Sequence, residues 1–209
     1  MKKILFFCTL ILGVATANAQ FGIQAGVGLY SGKAKSDGVS YTYKTKPGFT
    51  AGIVYSAPLS GNISFMPSLN FTQKGGKYSE SGVDDKLTLS YIDLPLNFVY
   101  NANGFFIGLG PDLAFGVGGK EKISGSGLSE SNDIKFGSGD NADFKPFEIS
   151  ANILAGYKFD NGFFVTANYN PGISNIAPDN AGSNAKWHNS GFGIRVGFMI
   201  GGTKKSSND

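Results

Sequence analysis

The chain has 209 residues, with 31 glycines, 18 phenylalanines, 16% charged side chains and a formal charge of +3. That length suits one all-β domain, and so weak a charge excludes a basic nucleic-acid surface. The single cysteine, Cys8, excludes a disulfide framework and a thiolate metal site.

Residues 1–19, MKKILFFCTLILGVATANA, read as a signal peptide. Lys2 and Lys3 precede an apolar run from Ile4 to Val14, and Ala17-Asn18-Ala19 fits the small-x-small cleavage pattern. The apolar run is too short to span a bilayer as a helix, and no later stretch approaches about 18 consecutive apolar residues. Any membrane span must therefore be built from strands. Removal of the leader takes Cys8 with it and leaves the chain near neutral.

The first expected strand is Phe21–Tyr30, with Phe21, Ile23, Ala25, Val27 and Leu29 on one face and mostly glycine on the other. A polar loop is expected from Ser31 to Lys46. The second strand carries Phe49, Ala51, Ile53 and Tyr55, and the third carries Ile63, Phe65, Leu69 and Phe71. Lys74 to Lys86 reads as another polar loop. Leu87, Leu89 and Tyr91 continue an odd apolar phase, whereas Ile92, Leu94, Leu96, Phe98 and Tyr100 are even. That switch predicts a bulge near Tyr91.

The Asn-Ala-Asn-Gly turn at residues 101–104 leads into Phe105, Ile107, Leu109, Leu113, Phe115 and Val117. Gly118 to Lys145 reads as the longest loop. The sixth strand places Phe147, Ile149, Ile153, Tyr157 and Phe159 outward, and Asp160-Asn161-Gly162 is a tight turn. Phe163, Val165 and Tyr169 mark the seventh strand. After a loop from Pro171 to Trp187, Phe192, Ile194, Val196, Phe198 and Ile200 mark the eighth. Pro67, Pro95 and Pro111 fall inside these strands, where each predicts a bulge or a missing ladder bond.

The pattern predicts an all-β fold: an eight-stranded antiparallel up-and-down transmembrane β-barrel with short periplasmic turns and long external loops. It occupies residues 20–201, with a polar tail at 202–209, and places the protein in a Gram-negative outer membrane. An aromatic girdle is expected at the periplasmic boundary from Phe21, Tyr55, Phe65, Tyr100, Phe105, Phe159, Phe163 and Phe198. The soluble alternative, a lipocalin-like barrel, would put the second face in water. That face is mostly Gly, Ser, Asn, Thr and Ala, which suits a narrow lumen better.

With the strands placed, the chain resembles the PorT-like outer-membrane β-barrel family of the Bacteroidota type. The residues that carry the likeness are Leu69-Asn70-Phe71-Thr72-Gln73-Lys74-Gly75, Leu89-Ser90-Tyr91-Ile92-Asp93-Leu94-Pro95-Leu96, Gly108-Leu109-Gly110-Pro111 and Tyr169-Asn170-Pro171-Gly172-Ile173-Ser174-Asn175-Ile176. The resemblance spans the mature chain. It implies the barrel and leaves the activity open; the founding member's association with a protein-secretion apparatus is one branch.

Few residues suggest chemistry. His188 is the sole histidine, with Ser190 and Asp179 near it in sequence, but no spacing supports a Ser-His-acid set. Glu130, Asp133, Asp140 and Asp143 do not match an oxygen-ligand calcium loop. Asp93, Asp112, Glu148, Lys158 and Arg195 fall on the lumen face and predict a salt-bridge network that plugs the barrel. The expected function is non-enzymatic: a barrel without cofactor, whose partners are outer-membrane lipid and envelope proteins, with no nucleic acid and no small-molecule ligand identifiable. A lipid-modifying enzyme at the rim and a secretion component are the alternatives.

Overall fold

The computed structural model describes residues 19–36, 38–80, 82–125, 127–139, 141–179 and 184–200. The leader up to residue 18, the tail and Asp140 lie outside the described residues. The strands are β1 (Gln20–Ser36), β2 (Val39–Thr42), β3 (Lys46–Ser60), β4 (Ile63–Glu80), β5 (Val83–Ala102), β6 (Phe105–Gly125), β7 (Leu128–Ile134), β8 (Phe147–Lys158), β9 (Phe163–Pro171) and β10 (Lys186–Ile200). All pair antiparallel. β1, β3, β4, β5, β6, β8, β9 and β10 form a ring of eight, closed by β10 on β1 from Phe21↔Ile200 to Lys35↔Lys186. Closure removes the free edges that an open sheet would expose.

The short connections behave as their residues require. Asn103 and Gly104 have φ of 50° and 86° and join Ala102 directly to Phe105, the left-handed pair that a two-residue hairpin needs. At the opposite end the expected loops are corrected. β4 and β5 run on to Glu80↔Val83, and β6 pairs with β7 up to Gly125↔Leu128. β2 continues the wall above β3, and β7 continues it above β8. Gly38, Gly82 and Gly127, with φ of 83°, 81° and 80°, sit at the three hairpin tips. Residues 31–36, 39–42, 74–80, 83–86, 118–125 and 128–134 are therefore in strands, and the barrel carries a tall β-turret. β5 has 20 residues, about 65 Å of extended chain, more than a tilted crossing needs.

The register change at Tyr91 is present, but its cause differs from the expectation. Ser90 pairs with Gly118 and Tyr91 with Gly116, so the extra residue, Val117, belongs to β6. β5 keeps one phase throughout. Leu87, Leu89, Tyr91, Asp93, Pro95, Asn97 and Val99 all face inward, and the first three are not outward residues. The prolines leave the gaps expected of residues without an N–H. β4–β5 pairing is interrupted between Pro67/Leu96 and Asn70/Asp93, and β5–β6 pairing between Pro95/Asp112 and Phe98/Leu109.

The outward face of the lower barrel is apolar and open: Phe105 is 66%, Val27 68% and Leu109 69% exposed. Such a belt is tolerable only against hydrocarbon. The inward glycines have a packing reason. Gly197 faces the Phe164 ring, Gly156 the Phe106 ring and Gly32 the Trp187 indole, and a methyl group at any of these would overlap the ring.

Candidate functional site

The interior is filled in three levels. At the short-turn end Val54, Met66, Val99, Phe106, Leu154, Phe164 and Met199 form an apolar plug. Above it lies a polar level. Gln24 Nε2 donates to Asn70 Oδ1 at 2.7 Å, Asn152 Nδ2 to Asn97 Oδ1 at 2.8 Å, and Asn170 Nδ2 to Asn152 Oδ1 at 3.1 Å. Amides suit a narrow lumen because each offers donor and acceptor on a short, neutral side chain.

The buried charges sit at the upper edge of that level. Lys74 Nζ lies 3.2 Å from Glu148 Oε1 and 3.5 Å from Asp93 Oδ1, and 4.7 Å from the centre of the Tyr91 ring. Asn189 Nδ2 donates to Glu148 Oε2 at 2.7 Å, and Trp187 Nε1 donates to Asn189 Oδ1 at 2.9 Å. Asp112 Oδ2 accepts from Ser150 Oγ at 3.3 Å and Asn170 Nδ2 at 3.2 Å. Arg195 is buried but has no carboxylate within 4.0 Å among the described residues. The structure thus gathers Asp93, Asp112 and Glu148 and leaves Arg195 outside the ion pairs. It does not bring in Lys158, whose Nζ lies 3.4 Å from Gln20 Oε1 in a polar recess of about 260 Å³ at the short-turn mouth. Sequence reasoning missed Lys74, the cation that touches two of the carboxylates. Its place on the inward phase of Ser68, Asn70 and Thr72 was the available signal.

The third level is a lid inside the turret. Leu87, Leu89, Tyr91, Ala114, Phe144, Ile176, Ala177 and Trp187 pack together, with Tyr43, Ile134 and Phe136 against them. Phe144 meets Trp187 edge-on at 5.2 Å, and Tyr91 meets Phe136 at 5.4 Å. Two irregular segments enter this lid from the wall. One is pinned by Lys145 N–H donating to Ile176 O at 2.9 Å, and Asn175 Oδ1 accepts from Trp187 N–H at 2.8 Å.

Charge divides across the turret wall. Burial raises the Asp85 carboxyl above its ordinary range, and burial with Asp85 and Asp143 raises Glu121. Asp84, on the outer face, is held below that range by the Ser79 hydroxyl at 2.5 Å and by Lys77 at 3.3 Å. Asp133 pairs with Lys120 at 3.8 Å, and Asp143 Oδ2 accepts from Lys135 N–H at 2.7 Å. Among the described residues no three His, Cys, Asp or Glu side chains gather as a metal-holding group.

His188 is half-buried opposite Lys33 on the outward face, while Asp179 is ion-paired with Lys145 at 2.6 Å. The expected girdle residues lie together at the short-turn rim. Phe21 stacks near Tyr55 at 4.8 Å, Phe65 near Phe98 at 5.3 Å, Phe105 near Tyr157 at 4.7 Å, and Phe163 near Phe198 at 5.1 Å. Phe159 packs on Tyr157 at 4.9 Å, and the Tyr100 hydroxyl accepts from Asn62 Nδ2 at 3.3 Å.

Residues 15–177 match the family described as outer membrane protein beta-barrel domain. The chain belongs to that family. No curated protein matches it. Among solved structures it is similar to Ail, the attachment invasion locus protein of Yersinia pestis, crystallised with the heparin analogue sucrose octasulfate (19% identity, 88% of this chain and 99% of that one, TM-score 0.44). It is also similar to Neisserial surface protein A (15%, 88% and 99%, TM-score 0.45) and to the outer membrane protease OmpT of Escherichia coli (10%, 88% and 97%, TM-score 0.36). This outer-membrane barrel has its greasy belt in the bilayer.

Proposed function

We propose that this barrel is a non-enzymatic, sealed envelope protein whose turret, standing outside the cell, presents a rigid surface to partners. The observation that carries this reading is the filled interior: an apolar plug, a hydrogen-bonded amide level and an aromatic lid occupy successive heights of the lumen. An eight-stranded barrel is just wide enough for side chains to fill. The cluster of Lys74 with Asp93, Glu148 and Asp112 then serves to fix the packing of the interior. The rings at the short-turn rim, Phe21 to Phe198, act as the inner-leaflet anchor. The motifs shared with the PorT-like branch support placing the chain there, with the leader at 1–19 removed on export.

A rim-site lipid-modifying enzyme would need His188 paired with an acid. Asp179 is committed to Lys145, and His188 faces outward beside Lys33. The reading predicts no stepwise conductance in planar bilayers and lipid profiles that do not change with His188→Ala. Stable single-channel steps would contradict the sealed lumen. Crosslinking in intact cells, followed by co-purification, identifies the partner and separates an envelope scaffold from a secretion component.

A further inference from the structure

The outer wall of the turret carries an arrangement that a merely solvated surface would avoid. Lys44 is directly opposite Lys77, Lys77 opposite Lys86, and Lys86 opposite Lys122. Across the β1–β10 seam Lys35 is opposite Lys186. Directly opposed residues of an antiparallel pair point to the same side and lie about 5 Å apart, where like charges repel. The side is the outward one, continuous with the lipid-facing phase: Lys86 shares its face of β5 with Ile92, and Lys33 and Lys35 share theirs of β1 with Leu29.

Carboxylates neutralise only part of this wall, and Asp84 also bears electrostatically on Lys44. Lys77 has Asp84 and Lys120 has Asp133. Lys33, Lys35, Lys44, Lys86, Lys122 and Lys186 have no carboxylate within 4.0 Å among the described residues. The nearby acids Asp85 and Glu121 sit on the inward phase instead. The lysines without an ion pair begin four residues beyond Leu29, five beyond Val117 and six beyond Ile92. At about 3.3 Å per residue and a tilt near 40°, that is roughly 10–15 Å above the greasy edge. Long side chains that bend back toward the interface then reach headgroup height.

We infer that these outward lysines form a binding belt for the phosphate groups of an outer-leaflet lipid headgroup. The inference rests on the barrel's placement in the membrane and names the lipid chemistry at its upper edge. Each lysine near an anionic surface adds to the attraction, so the row converts an internal repulsion into lipid-dependent stability of the turret.

The test uses the mature full chain in mixed micelles holding bisphosphorylated lipid A, the same lipid after phosphatase treatment, inorganic phosphate, or a soluble sulfated polysaccharide. The bisphosphorylated lipid is expected to bind with strong salt dependence. The variant K35Q/K86Q/K122Q/K186Q is expected to bind at least about tenfold more weakly, and Lys→Arg at the same positions to restore binding. Equal binding of the dephosphorylated lipid, binding of the polysaccharide or free phosphate alone, or an unchanged glutamine variant each overturns the inference. Should the fourfold variant fold poorly, the pairs K35Q/K186Q and K86Q/K122Q give the same readout. Heat-modifiable gel mobility reports insertion separately, so a barrel that inserts normally without binding the lipid loses only this inference.

Discussion

The lower barrel and the turret are made from the same strands, yet their polarity is reversed. In β5, Ile92, Leu94, Phe98 and Tyr100 are exposed or half-buried on the outward face while Asp93 and Asn97 are buried. Six residues higher the outward residues are Thr88 and Lys86, and the buried ones are Leu89 and Leu87. The backbone phase is unbroken; the surrounding medium changes. A strand that leaves hydrocarbon for water must turn inside out in composition, because burial of apolar surface pays only where the outside is wet.

The strongest break of this comparison is at the level where the two regimes meet. Lys74→Ala leaves Glu148 and Asp93 buried without their cation and should cost about 3–5 kcal/mol, measured by urea unfolding in lipid vesicles. Replacing Lys74, Glu148 and Asp93 together by Met, Gln and Asn should recover much of that loss.

Opposite effects of one kind of substitution sharpen the contrast. Leu109→Arg on the lipid face should destabilise by about 2–4 kcal/mol, while Thr88→Arg on the outward turret face should be close to neutral. Leu89→Ala inside the turret should cost about 2–5 kcal/mol and shift the emission of Trp187, the single tryptophan of the chain. Leu109→Ala, facing acyl chains, should cost less because no packed cavity is left.

A smaller expected effect concerns the inward glycines. Gly197→Ala places a methyl group in the Phe164 ring and should cost about 1–3 kcal/mol. Phe164→Leu in the same chain should relieve part of it, as followed by the unfolding midpoint.

The smallest is pH dependence confined to the turret. Asp85 and Glu121 have raised values in the folded protein, so their contribution is full below the ordinary carboxylate range and fades as pH rises through the raised values. Trp187 should therefore be better shielded from acrylamide at mildly acidic pH than at neutral pH, and Asp85→Asn with Glu121→Gln should flatten the difference.

Much of the lower barrel was legible because its outside is apolar and its lumen side small, which gives clean alternation. Phe21 to Leu29 and Phe105 to Val117 place the wall by that rule alone. The turret was not legible by the same rule, since Lys77, Ser79, Asp84 and Lys122 put polar groups on strands that look like loops. Its signal lay in Gly38, Gly82 and Gly127, each preceded by a polar residue and followed by Val or Leu, a pattern that marks hairpin turns. The bulge was expected because the apolar residues of β5 change phase at Tyr91, and that change records the exit from the bilayer. Within the site, Asp93, Asp112, Glu148 and Arg195 were visible as ionisable residues on a small-residue face. Lys74 was hidden by its place at the start of an apparent loop, and Lys158 was grouped with the others because facing inward says nothing about height along the barrel.

The unbroken phase of β5 is best tested by spin labels on single cysteines introduced one at a time from position 86 to position 98, in the mature chain reconstituted in vesicles. The account predicts high oxygen accessibility at positions 92, 94, 96 and 98, water-soluble relaxant accessibility at 86 and 88, and low accessibility to both at 87, 89, 91, 93 and 97. A switch of the accessible set from even to odd positions below residue 91 would contradict it.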